Sequence, residues 1–131
     1  MQTAKGTFEV TIIPQPYQDG AGDSSVGRMA IAKVFSGEMN GTGSGQMLAY
    51  RSSVPGSAGY VAMEKVQGAL NGRQGSFIMQ HNGIMNRGES QLTIRIVPDS
   101  GTDQLTGIAG EMLLNIEQGK HYYEFRYTLP E

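Results

Sequence analysis

Apolar and polar residues alternate along most of this chain with period two, and helical periodicity is nearly absent. The alternating runs are bounded by Gly, Asn, Asp and Pro. They predict eight strands, at 5–13, 28–39, 43–51, 58–70, 73–82, 90–98, 104–117 and 120–129. The segment 14–27 is the longest loop. It holds two Pro and three Gly and is the one candidate for a lid or a short helix.

Three doublets between alternating runs mark tight turns: Asn40-Gly41, Asn71-Gly72 and Gln118-Gly119. Asn-Gly suits a two-residue hairpin loop because both residues must take positive φ. Consecutive hairpins of this kind build an antiparallel meander.

Register can be tested on each turn. About Gln118-Gly119, Glu117 faces Lys120 and Glu111 faces Arg126. These are opposite-charge cross-strand pairs. On the other face Ile108, Met112, Leu114 and Ile116 meet Leu129, Phe125, Tyr123 and His121. A slip of one residue would turn the apolar set outward.

About Asn71-Gly72, Leu70 faces Arg73, Val66 faces Phe77, Glu64 faces Met79 and Ala62 faces His81. One face then carries Tyr60, Ala62, Val66, Leu70, Phe77 and Met79, with Glu64, Arg73 and His81 among them. The opposite face, with Lys65, Gln67, Gln74, Ser76 and Gln80, reads as wetter. The two faces about Asn40-Gly41 are nearly equal in polarity and stay unassigned.

Eight long antiparallel strands are best accommodated by a closed barrel, which removes exposed edges. The expected fold is therefore all-β, a closed eight-stranded antiparallel meander barrel. Its interior is either filled by side chains or holds one small ligand.

Composition narrows the function classes. The chain has 131 residues, which suits a single domain over 1–131. It has no Cys, so disulfides and thiol chemistry are excluded. The net charge is -2 with scattered Lys and Arg, which argues against nucleic acid as a partner. No apolar run has the roughly 20 residues of a membrane helix, and no signal-peptide pattern opens the chain. The expectation is a bacterial-type cytoplasmic protein with no membrane partner. Gly numbers 19, about twice the usual share.

The chemistry concentrates at Glu64 and His81, which stand diagonally across the 60–81 hairpin on one apolar face. Such a pair can transfer protons, or it can satisfy its own polar groups inside the barrel. These two are the catalytic candidates. Tyr60, Arg73, Phe77, Met79 and Tyr123 are the candidate ligand-lining residues, with Arg73 able to hold an anionic group. Only two His exist and no metal-binding spacing appears, so no metal is expected. No cofactor is implied. Gly41 to Gly45, GTGSG, looks like a phosphate loop only on the surface, because no helix follows it. Ser76 lies on the face away from His81, so no nucleophile triad forms.

The runs YVAMEKVQGALNGRQGSFIMQHNG, VPDSGTDQLTGIAGEM and GKHYYEFRYTL resemble a bacterial family catalogued as a domain of unknown function, number 3224. The resemblance spans nearly the whole chain. It implies a closed eight-stranded meander barrel similar to allene oxide cyclase, whose members use a Glu and a bound water in an apolar barrel. What carries over is the fold; no activity does.

Three functions fit these observations. One is a barrel binding a small, partly apolar molecule. Another is a structural or oligomer-forming domain with a packed interior. The third is a cofactor-independent cyclase or isomerase using Glu64 and His81. A homodimer could form on the outer face of the 58–70 strand through Val61, Met63 and Ala69.

Overall fold

The computed structural model describes residues 1–17 and 22–130. Eight strands follow one another: β1 (Gln2–Gln15), β2 (Gly27–Gly37), β3 (Met39–Arg51), β4 (Ala58–Leu70), β5 (Arg73–Asn86), β6 (Glu89–Ile96), β7 (Ala109–Glu117) and β8 (Lys120–Thr128). Each pairs antiparallel with the next, and β8 pairs with β1, so the sheet closes into a barrel. Among the described residues the one helical element is a single 3-10 turn, Asp103–Leu105.

Two hairpins fold as their side chains dictate. Leu70 pairs with Arg73, Glu64 with Met79 and Ala62 with His81. Glu117 pairs with Lys120, Glu111 with Arg126 and Met112 with Phe125. Asn71 (φ 47) and Gly72 (φ 84) both take the left-handed region that the tight turn requires.

The first hairpin departs from expectation. The chain reverses at Gly37–Glu38, and Asn40 and Gly41 lie inside β3. Gly37 adopts φ 112, which favours glycine. Asn40 braces this turn instead of forming one, donating from Nδ2 to the Gly37 carbonyl at 2.7 Å. Gly41 is glycine for packing: a Cβ there would overlap the backbone carbonyl of Gln67.

Other boundaries also move. The strand expected at 104–117 begins at Ala109, because Leu105 and Ile108 turn inward and are buried. Ser100 and Thr102 instead dock on β5, accepting from the amides of Ile78 and Ser76. Ser76, expected on a wet face, is buried by that contact. β5 runs on to Asn86 and turns at Arg87-Gly88, a doublet with positive φ at both residues. Pro14 and Gln15 of the expected 14–27 loop belong to β1. Residues 18–21 of the same loop, where a lid or short helix was expected, lie outside the described residues.

The two ends of the barrel differ. At the end holding the β4–β5 turn, Met39, Leu70, Leu105, Ile108 and Tyr127 fill the interior. At the other end β1 to β5 form a tall wall and β6 to β8 a low one. Pairing of β1 with β2 reaches Gln15, but pairing of β1 with β8 stops at Phe8 opposite His121. β6 and β7 share one ladder pair, Arg95 with Glu111.

Candidate functional site

The centre of the barrel holds three ionisable side chains: Lys33 from β2, Glu64 from β4 and His81 from β5. Each has the parity of buried neighbours on its strand, so each points inward. Relative exposure is 7% for Lys33, 1% for Glu64 and 3% for His81. Lys33 Nζ donates to Glu64 Oε1 at 3.0 Å, and His81 Nε2 lies 2.8 Å from the same oxygen.

Lys33 and Glu64 are two strands apart, a span of about 10 Å that side chains of β3 would normally occupy. They meet because the inward positions of β3 at this level are Gly43 and Gly45. Gly43 pairs with Lys33, and Gly45 pairs with Glu64. A Cβ on Gly43 would overlap Glu64 Oε2. The GTGSG run is thus a bare strip of sheet across which a lysine reaches a carboxylate.

Lys33 Nζ also stands 5.1 Å from the centroid of the Phe8 ring and 5.9 Å from that of Phe35. These faces favour a desolvated ammonium. Burial pushes the Glu64 carboxyl up, but hydrogen bonds from His81 and Lys33 and the Lys33 charge outweigh it and hold the group below its ordinary value. Glu64 is therefore an ionised acceptor, ill suited to act as a general acid. Because the carboxylate can only accept, His81 Nε2 carries the proton of that bond. In the neutral ring Nδ1 then keeps the lone pair, and His81 becomes the group able to move a proton. Glu64 Oε2 is buried and has no hydrogen-bond partner.

Tyr60 lies next to this cluster, its ring centroid 6.5 Å from that of His81. The ring rests on Gly83, where a Cβ would collide with it. Burial, and then the Glu64 charge, raise the phenol, so Tyr60 remains a neutral hydrogen-bond donor or acceptor.

Above the cluster the interior opens. Ile12, Met85, Leu92 and Ile116 share the parity of buried residues on their strands yet are 49%, 41%, 39% and 64% exposed. Met29, Met47 and Tyr60 are half-buried on the tall wall. Between this rim and the charged floor the inward residues of β3, β4 and β5 are small, Gly45, Ala62 and Gly83, and the Tyr60 ring lies over Gly83.

The structure joins Glu64, His81 and Tyr60 as the sequence implied, sets Met79 directly opposite Glu64, and places Phe77, Tyr123 and Arg73 elsewhere. Phe77 and Met79 are fully buried in the packed half. The Tyr123 hydroxyl accepts from the Met39 amide at 3.0 Å and can donate to Ser36 or Met39 carbonyls, so it ties the β2–β3 turn. Arg73 is exposed beside the β4–β5 turn, at the sealed end and away from His81. Lys33 was not anticipated. Its signal was the period-two run of Gly41, Gly43 and Gly45, which is legible only once the β2–β3 register is known. Among the described residues no group of three His, Asp or Glu could hold a metal ion. No helix among them is long and apolar enough to cross a membrane.

Comparison with known proteins places the chain. The sequence profile of DUF3224, described as a protein of unknown function, matches residues 4–127. A crystal structure of a protein of unknown function from the DUF3224 family of Shewanella oneidensis MR-1 superposes with a TM-score of 0.92 at 44% identity, covering 100% of this chain and 98% of that one. No curated relative matches.

Proposed function

The chain belongs to the DUF3224 family, and from that premise we propose that its barrel mouth binds one small, partly apolar molecule. The observation that carries this reading is the ring of exposed but inward-facing Ile12, Met85, Leu92 and Ile116 above a buried charged floor. An apolar wall with a few convergent polar groups is the usual make-up of a ligand site. Lys33 and Glu64 balance each other's charge on the floor. The matching ligand has an aliphatic or aromatic body and a neutral polar end, a carbonyl or hydroxyl, that meets Tyr60 and His81.

The test is a fluorescence titration with N-phenyl-1-naphthylamine, a neutral apolar probe. Leu92→Glu and Met85→Glu, both on the rim, abolish saturable binding on this reading. Val61→Glu leaves it intact, because Val61 lies on the outer surface beside a shallow apolar groove with Tyr50 and Ile84. Loss in the Val61 variant alone assigns the probe to that groove and removes the reading.

The second reading is catalysis on the bound molecule, an isomerisation by proton transfer. It is favoured by one observation, the fixing of His81 Nε2 by an ionised carboxylate. In that case His81 is the acid–base group and Glu64 its orienting partner. Turnover of a carbonyl substrate would vanish in His81→Gln while probe binding persists.

A further inference from the structure

The low wall of the mouth is incomplete, and the strand beside it has a free edge. On β1, the Lys5 carbonyl accepts from the Glu38 amide, so odd-numbered residues direct their backbone groups towards β2. Pairing with β2 continues without a break from Gly6–Gly37 to Gln15–Arg28. Even-numbered residues therefore face the β8 side. There β8 pairs only as far as Phe8. Among the described residues the amides and carbonyls of Val10 and Ile12, and the carbonyl of Pro14, project on that side with no strand to meet them. Such an edge is a template for another strand. Ile12 and Ile13 are 49% and 50% exposed on its two faces.

We infer that a second copy of this chain pairs its β1 antiparallel with this edge, and that each copy thereby completes the low wall of the other's mouth. A twofold axis at Ile12 sets Ile12 opposite the partner's Ile12 and Val10 opposite the partner's Pro14. Both Ile12 amides then bond to Ile12 carbonyls. Both Val10 amides bond to Pro14 carbonyls, and because Pro14 has no N–H to return the bond the Val10 carbonyls stay open to water. Phe8, already paired with His121, bounds the contact on one side. Lys120, the first residue of β8, stands beside Glu9, so the contact is confined to Val10–Pro14. A twofold axis perpendicular to the sheet keeps both inner faces on one side. The partner's Ile12 and Pro14 therefore stand over Ile116, which is 64% exposed in the single chain. The dimer itself stands without the ligand reading; the completed wall rests on it.

The chain contains no Cys, so a single engineered thiol reports the contact cleanly. In a hydrogen-bonded antiparallel pair facing Cα atoms lie about 5.5 Å apart, within disulfide range. The expected result is a dimer by sedimentation, with Ile12→Cys crosslinking to a covalent dimer on mild oxidation and Ile84→Cys on the outer wall failing to. Ile12→Pro removes a free-edge donor while sparing the β2 ladder, and raises the dimer dissociation constant about tenfold or more. Ile12→Lys, checked for folding by circular dichroism, does the same without altering the backbone. A wild-type monomer at all accessible concentrations overturns the inference. A dimer that crosslinks through Ile84→Cys or Val61→Cys but not Ile12→Cys also overturns it, by assigning the contact to the β4 face. These outcomes are read without any probe, so they are independent of whether the mouth binds one.

Discussion

Lys33 reaches Glu64 across Gly43: the two side chains meet at 3.0 Å although a whole strand lies between them. The contact exists only because that strand has no side chain on its inner face at this level. The barrel centre is built on a missing methyl group as much as on the charges themselves.

Gly43→Ala should accordingly be costly. Its Cβ would displace Glu64 Oε2 and open the ion pair. We expect a loss of about 2–4 kcal/mol in urea denaturation, against little change for Thr42→Ala on the exposed face. Equal stability of the two variants would mean that the carboxylate relocates freely.

Glu64→Gln leaves a buried ammonium and imidazole without their shared acceptor. The expected loss is roughly 3 kcal/mol or more. Adding Lys33→Met should recover much of it, because a neutral side chain of similar length then fills the space. A double variant no better than Glu64→Gln would show that the two residues do not act as a pair.

Acid should act through the same group. The Glu64 carboxyl, raised by burial but held down more strongly by His81 and Lys33, titrates in the folded barrel below its ordinary 4.5. The unfolded chain therefore binds that proton first as pH falls. The contribution is fully present above about pH 4.5 and is lost as pH drops through the folded value. Stability measured from pH 6 downward should fall in that window for the wild type, and less steeply for Glu64→Gln. Parallel curves would assign the acid sensitivity to other carboxylates.

The single ladder pair between β6 and β7 predicts where the barrel breathes. Alternate amides within Gln91–Thr93 and Leu113–Asn115 should exchange with deuterium at least about tenfold faster than those in the centre of β4 and β5. Uniform protection around the barrel would contradict this.

Much of the architecture was legible in the residues. The 60–81 and 109–128 hairpins were readable because a two-residue turn and complementary cross-strand pairs agree, and a slip would expose the apolar set. Asn40-Gly41 misled for a physical reason: Gly41 is glycine because β4 backbone crowds it, and a packing glycine looks the same in sequence as a turning one. Glu64 and His81 emerged from register alone. Lys33 did not, since a single lysine in an alternating strand usually faces water. Tyr123 carries the signature of a pocket aromatic, but its hydroxyl serves the β2–β3 turn. The half-open shape of the mouth depends on where β8 ends relative to β1, which is a property of the closed sheet and not of any one hairpin.

The most direct measurement follows the two histidine rings by NMR while N-phenyl-1-naphthylamine is added. His81 stands at the floor of the mouth and His121 on its low wall, opposite Ile116, and the chain has no other histidine. The account predicts that both rings shift in saturable fashion with one midpoint, and that the methyl signals of Val61 and Ile84 on the outer wall stay put. Shifts confined to Val61 and Ile84, with both histidines unmoved, would contradict it.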